Sequence, residues 1–211
     1  MTSPPLLGEA DVARAIGERN ITAEIIHPGE KTPTVEAAAV ALHVGTAQIV
    51  KSLVFLVDGV PHLVITNGTG RVDARALAAA LGVGKARLAR PEEASALTGY
   101  AVGGMPPFGH RRPLPVLLEA AVLEQPVVYA GGGSDGAMLR ISPRELLRAT
   151  APSRVSRSPR SGRPLVPVHR TSPRIAAEPR VAPPGREWGQ PATGPAAERT
   201  ARIGPDSLER H

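Results

Sequence analysis

Ile49–Val57 reads IVKSLVFLV, Asp58–Gly59 follows as DG, and Val60–Thr66 reads VPHLVIT. Two runs rich in β-branched residues, separated by Asp-Gly, form the strongest short-range hairpin signal a sequence can carry. The stretch therefore predicts two antiparallel strands. Around it, strand-like and helix-like segments alternate. Asp11–Arg19, Thr34–Val44, Asp73–Leu81, Pro91–Thr98 and Pro143–Ala149 have helical spacing of apolar residues or helix-start chemistry. Thr34 is placed to cap its helix, Gly45 and Gly82 to stop the helices before them, and Pro91 with Glu92 and Glu93 to open the next one. Thr22–His27, Arg87–Ala89, Val116–Leu118, Val127–Ala130 and Ala137–Ile141 read as strands. Interleaved elements with one obligatory hairpin imply a mixed sheet.

Charge divides the chain at about residue 150. Residues 151–211 carry 11 Arg and 5 acidic residues, which accounts for the whole net charge of +6 and leaves residues 1–150 formally neutral. The basic character thus describes the tail and says nothing about the partners of the body. The tail also holds 11 prolines and has no sustained periodicity, so residues 1–150 are expected to form one domain and residues 151–211 a disordered Pro/Arg-rich basic arm. Two readings of that arm stand: an RNA-binding extension, or adventitious sequence from a shifted frame in GC-rich coding DNA.

Without cysteine there is no disulfide framework and no thiolate. No leader or membrane span is visible, and a cytoplasmic location is expected. The six histidines show no metal spacing, so no metal is expected, and no cofactor motif is present. There is no G-x-S-x-G elbow. GVGK at Gly82–Lys85 lacks the spacing and the Ser/Thr of a phosphate-binding loop.

What remains is a shaped loop and a lysine. Tyr100–Pro113 reads YAVGGMPPFGHRRP, a path too rich in Gly and Pro for helix or central strand. Its glycines permit close backbone approach, and its peptide N–H groups are a plausible cradle for an anionic or ester-bearing ligand. Lys51 interrupts an otherwise apolar strand. It either points to water or is aimed into a pocket, where an ammonium can hold a phosphate or polarise an ester carbonyl. On spacing alone the outward orientation is the commoner outcome, and His110 reads as a surface residue.

The order of these pieces resembles the YbaK/prolyl-tRNA editing family of aminoacyl-tRNA deacylases, related to the insertion domain of bacterial prolyl-tRNA synthetases. The resemblance is carried by TVEAAAVAL at Thr34–Leu42, QIVKSLVF at Gln48–Phe55 and RVDARALAAALG at Arg71–Gly82. It continues through TGYAVGGMPPFGH at Thr98–His110, VVYAGGGSDG at Val127–Gly136 and LRISPRELL at Leu139–Leu147. It implies an α/β fold around a mixed, barrel-like sheet with short helices, and hydrolysis of a mischarged tRNA ester without metal or cofactor.

By the same resemblance Lys51 is the catalytic residue, engaging the acceptor end near the ester. Gly103, Gly104, Pro107, Phe108 and Gly109 correspond to the loop lining the aminoacyl pocket, with Gly131 and Gly132 in a second loop beside it. Thr34 and His110 complete the expected substrate-binding set. The implied partner is the 3′ aminoacyl end of a mischarged tRNA, with tRNA(Pro) bearing Cys, Ala or a similar small residue foremost, and an aminoacyl-tRNA synthetase as a further partner. Pro106 and Glu119 depart from residues common in relatives, where Ser and Asp or Asn often stand. A non-catalytic tRNA- or synthetase-binding module of the same fold is the alternative.

Overall fold

The computed structural model describes residues 4–29 and 32–152, together with the backbone of Arg154–Ser156. The chain runs α1 (Glu9–Glu18), β1 (Ala23–Ile26), α2 (Val35–Ala41), a 3₁₀ turn (Thr46–Gln48), β2 (Val50–Val57) and β3 (Val60–Asn67). It continues through α3 (Ala74–Leu81), β4 (Ala86–Leu88), α4 (Pro91–Thr98), β5 (Val116–Glu119) and α5 (Ala120–Leu123). It ends with β6 (Val128–Gly131), β7 (Met138–Ile141), α6 (Pro143–Thr150) and β8 (Arg154–Ser156).

The β2–β3 hairpin forms in the register its turn dictates, from Val57↔Val60 out to Val50↔Asn67. Asp58 and Gly59 take φ of 46° and 84°. Positive φ at both central residues is what a two-residue hairpin turn of type I′ requires. The Asp58 carboxylate accepts from the backbone N–H groups of Gly84 (3.2 Å) and Lys85 (2.8 Å), fastening the turn to the approach of β4. Farther along, Arg87 donates both guanidinium nitrogens to Glu93, at 2.8 and 2.9 Å. The same carboxylate accepts from the N–H of Arg90 at 2.8 Å, so one glutamate ties β4 to the start of α4.

Strand order in the larger sheet is β4-β2-β3-β5-β8, with β3–β5 and β5–β8 parallel and the rest antiparallel. A second sheet, β1-β7-β6, is antiparallel throughout. The two meet at an isolated bridge between Ile49 and Tyr129. The mixed sheet expected from the sequence is present. The two sheets are not closed into a barrel, and β4 pairs with β2 only at Phe55–Val57.

Alternation along β2 and β3 divides their side chains between two cores. Val50, Val54, Leu63 and Ile65 pack with Val12 of α1, Phe108, and Val128 and Leu139 of the second sheet. Phe55, Val57 and Val64 face Leu77 of α3 instead. A third, small cluster seats Ala38 and Ala39 of α2 on Ile49 and Met138.

The helices start where capping chemistry predicts. Thr34 Oγ1 accepts the Ala37 N–H at 3.1 Å, and Asp73 caps α3. Within residues 1–150, two elements have no counterpart in the sequence reading, the 3₁₀ turn and α5. Both are under five residues, too short for a period to distinguish helix from strand. The expected domain boundary at residue 150 is passed by β8, which pairs with Leu117–Glu119 of β5. The rest of the expected tail lies outside the described residues.

Candidate active site

The first half of β2 borders a cavity of about 360 Å³. One wall is that strand, from Ile49 to Leu53. A second is the start of α2, with Thr34, Val35 and Ala38, held in place by the seating of α2 on Ile49 and Met138. The third comes from Val102, Gly103 and Met105 with Gly131 and Met138. Lys51, Thr34, Gly103 and Gly131 therefore meet at one place although the sequence spreads them over nearly a hundred positions.

Lys51 is half-buried, and its Nζ donates to the carbonyl of Gly70 at 2.7 Å. The ammonium is thus anchored to the loop that leads into α3. It stands on the same sheet face as Thr66, its register partner, which in turn donates its hydroxyl to the buried Glu119 carboxylate. A polar row, Lys51–Thr66–Glu119, crosses three strands at one end of the face that carries Phe55, Val64 and Leu117.

The two glycine loops touch each other backbone to backbone. A Cβ on Gly131 would lie 2.4 Å from the Met105 carbonyl oxygen, and one on Gly104 would lie 2.7 Å from the Ser134 carbonyl carbon. The Gly133 N–H donates to the Gly104 carbonyl at 2.8 Å. Such contacts admit no side chain. Gly103, with φ of 106°, holds the left-handed turn that brings its peptide to the cavity wall.

The other expected residues stand off the cavity. Gly104 and Gly132 are buried behind the wall, where Gly132 packs on Ala137. Pro107 is buried, and Phe108, 3% exposed, belongs to the main core. Gly109 gives its carbonyl to the Tyr100 hydroxyl at 3.2 Å. His110 Nε2 lies 2.9 Å from the Pro106 carbonyl, so that nitrogen carries the proton in the neutral ring. Its ring meets Tyr100 edge-on, with centroids 6.1 Å apart. Burial holds the His110 imidazole below its ordinary pKa, and burial pushes the Tyr100 phenol up to about 12. The pair staples the loop's second half.

Ser52 went unrecognised in the sequence. It lines the cavity, and its Oγ is a buried side-chain atom with no hydrogen-bond partner among the described residues. Buried polar atoms are nearly always paired, which makes this shielded hydroxyl an exception on the strand that borders the cavity. A hydroxyl between Lys51 and the apolar run LVFLV was the available signal. Elsewhere Ser134, Glu9 and His27 form a chain, the carboxylate accepting from Ser134 at 2.5 Å and lying 2.8 Å from His27 Nε2. With the carboxylate between them, the imidazole does not meet the hydroxyl. The chain is a strut between α1, β1 and the second glycine loop rather than a nucleophile–base pair. The described residues contain no cluster of three metal-ligating side chains. No helix among them is long and apolar enough to cross a membrane.

Comparison with known proteins places this geometry. The model of the aminoacyl-tRNA editing domain matches residues 29–149, so the chain belongs to that family. The match contains β2, both glycine loops and the whole cavity wall. A curated relative from Enterococcus faecalis, "Putative Cys-tRNA(Pro)/Cys-tRNA(Cys) deacylase EbsC", is 26% identical over 116 residues, covering 54% of this chain and 71% of the relative. Among solved structures, "a putative trans-editing enzyme for prolyl tRNA synthetase" is 36% identical with a TM-score of 0.65, covering 71% of this chain and 95% of its own. The crystal structure of hypothetical protein APE2540 is 34% identical at the same TM-score, covering 70% of this chain and 98% of its own.

Proposed function

We propose that this chain is a trans-editing deacylase that hydrolyses the ester between tRNA and a wrongly attached small amino acid, with tRNA(Pro) bearing Cys or Ala foremost. The observation that carries this reading is the convergence of Lys51 and the glycine-loop residue Gly103 on one cavity of about 360 Å³. Water attacks the ester carbonyl carbon, the bond to the ribose oxygen breaks, and that oxygen leaves with a proton as the free 3′ end. Negative charge grows on the carbonyl oxygen during attack. A fixed cation and oriented peptide dipoles in a half-enclosed site stabilise it, with no side-chain nucleophile required. Lys51, tethered to Gly70, holds the acceptor end beside the ester, while Thr34 lines the wall that receives the aminoacyl group.

Val35, Ala38, Val50, Leu53 and Met138 make the cavity apolar and narrow, which suits a small side chain. Discrimination by such walls is worth about 10- to 200-fold per methylene. A synthetase is the partner from which such an enzyme would receive its mischarged tRNA.

Single-turnover deacylation of Cys-, Ala- and Ser-charged tRNA(Pro) by the full chain and by its Lys51→Ala form tests the reading. One ester is expected to disappear with the wild type, and about 10²-fold more slowly with the variant. Equal rates would remove Lys51 from the mechanism. Retained tRNA binding with no hydrolysis of any ester would favour a non-catalytic module.

A further inference from the structure

Arg71 and Arg75 flank Asp73, the residue that caps α3. Asp73 Oδ1 accepts from the backbone N–H groups of Arg75 (2.8 Å) and Ala76 (3.2 Å), so the neighbouring carboxylate is engaged by the helix itself. Both arginines are exposed, and among the described residues neither guanidinium has a hydrogen bond or an ion pair. Arg14, Arg87, Arg90, Arg140 and Arg148 each hold a carboxylate by contrast. Cations at the start of a helix oppose its dipole, so neither arginine serves the stability of α3. Their position has another consequence. Gly70, whose carbonyl takes the Lys51 ammonium at 2.7 Å, immediately precedes Arg71. The two arginines therefore lie within five residues of the carbonyl that holds the Lys51 ammonium, exposed on a body that is formally neutral over residues 1–150.

We propose that Arg71 and Arg75 bind backbone phosphates of the tRNA acceptor end whose terminal ester enters the cavity. The inference rests on the deacylase reading for its ligand and extends the site along the loop from Gly70 into α3. Guanidinium groups suit this work because they present forked donors to phosphate oxygens. Phosphate contacts of this kind set position and affinity and do not read bases.

The test is binding of uncharged tRNA to the full chain over a series of salt concentrations, read by fluorescence anisotropy. The Arg71→Ala/Arg75→Ala variant is expected to bind about tenfold more weakly at low salt. Its slope of log K against log salt should be shallower by about 1.4, the release expected from two single-strand phosphates at about 0.7 each. Lysines at both positions should restore most of the slope. As a charge-matched control, Arg112→Ala/Arg144→Ala removes two other exposed arginines and should change the slope by less than half as much. A wild-type slope in the Arg71/Arg75 variant overturns the proposal, as does an equal change in the control pair. Binding needs no hydrolysis, so a chain that deacylates no ester but shows the expected slopes would sink the deacylase reading and leave the phosphate contacts standing.

Discussion

The two halves of the loop after α4 are continuous in sequence and opposite in surroundings. Val102–Met105 borders the cavity, with Val102 and Gly103 exposed at its edge. Pro106–His110 turns inward, with Phe108 in the main core and His110 held to the Pro106 carbonyl under Tyr100. One half borders the cavity. The other half fixes where that segment stands. A motif read as a single pocket-lining unit is thus a lining segment and its anchor, and substitutions in the two should fail in different ways.

The largest effect is expected from Phe108→Ala. Emptying a fully packed aromatic site costs about 3–5 kcal/mol, measurable by urea denaturation. If Phe108 instead contacts substrate, turnover will collapse while the unfolding midpoint stays near wild type. Gly131→Ala should come next, because its Cβ would strike the Met105 carbonyl at 2.4 Å and force the two glycine loops apart. A cost of about 1–3 kcal/mol is expected from such overpacking, with a loss of activity larger than the stability change explains. Unaltered turnover would mean that the spacing of the loops does not shape the site.

The smallest effect is a dependence on pH. Burial depresses the His110 pKa in the folded chain, so the unfolded chain binds that proton more tightly. The stabilisation is complete above the ordinary value of 6.5 and is lost as pH falls through 6.5 towards the folded value. One such group contributes at most about 1.4 kcal/mol per pH unit. Stability curves at pH 7.5 and 5.5 should therefore converge in His110→Gln relative to wild type. Identical pH dependence in the two proteins would place the titrating group elsewhere.

Local chemistry made most of the elements legible. The Asp-Gly turn, the Thr34 cap, the Pro91 helix start and the Gly82 stop are decided by residues within four positions of one another, and each stands where the sequence puts it. The site was legible in part. Lys51, Thr34, Gly103 and Gly131 do border one cavity, whereas Ser52 passed unnoticed beside an apolar run.

The tertiary structure alone decided the rest, because the deciding contacts join distant residues. β4 pairs only with Phe55–Val57, while the Ile49–Leu53 stretch borders the cavity instead. Gly104 and Gly131 meet backbone to backbone across 27 positions of chain. The sequence by itself determined which residues turn, cap and alternate, since those preferences act over a few bonds. Which loop half borders the cavity and which enters the core depended on contacts between distant residues, and no local preference encodes those.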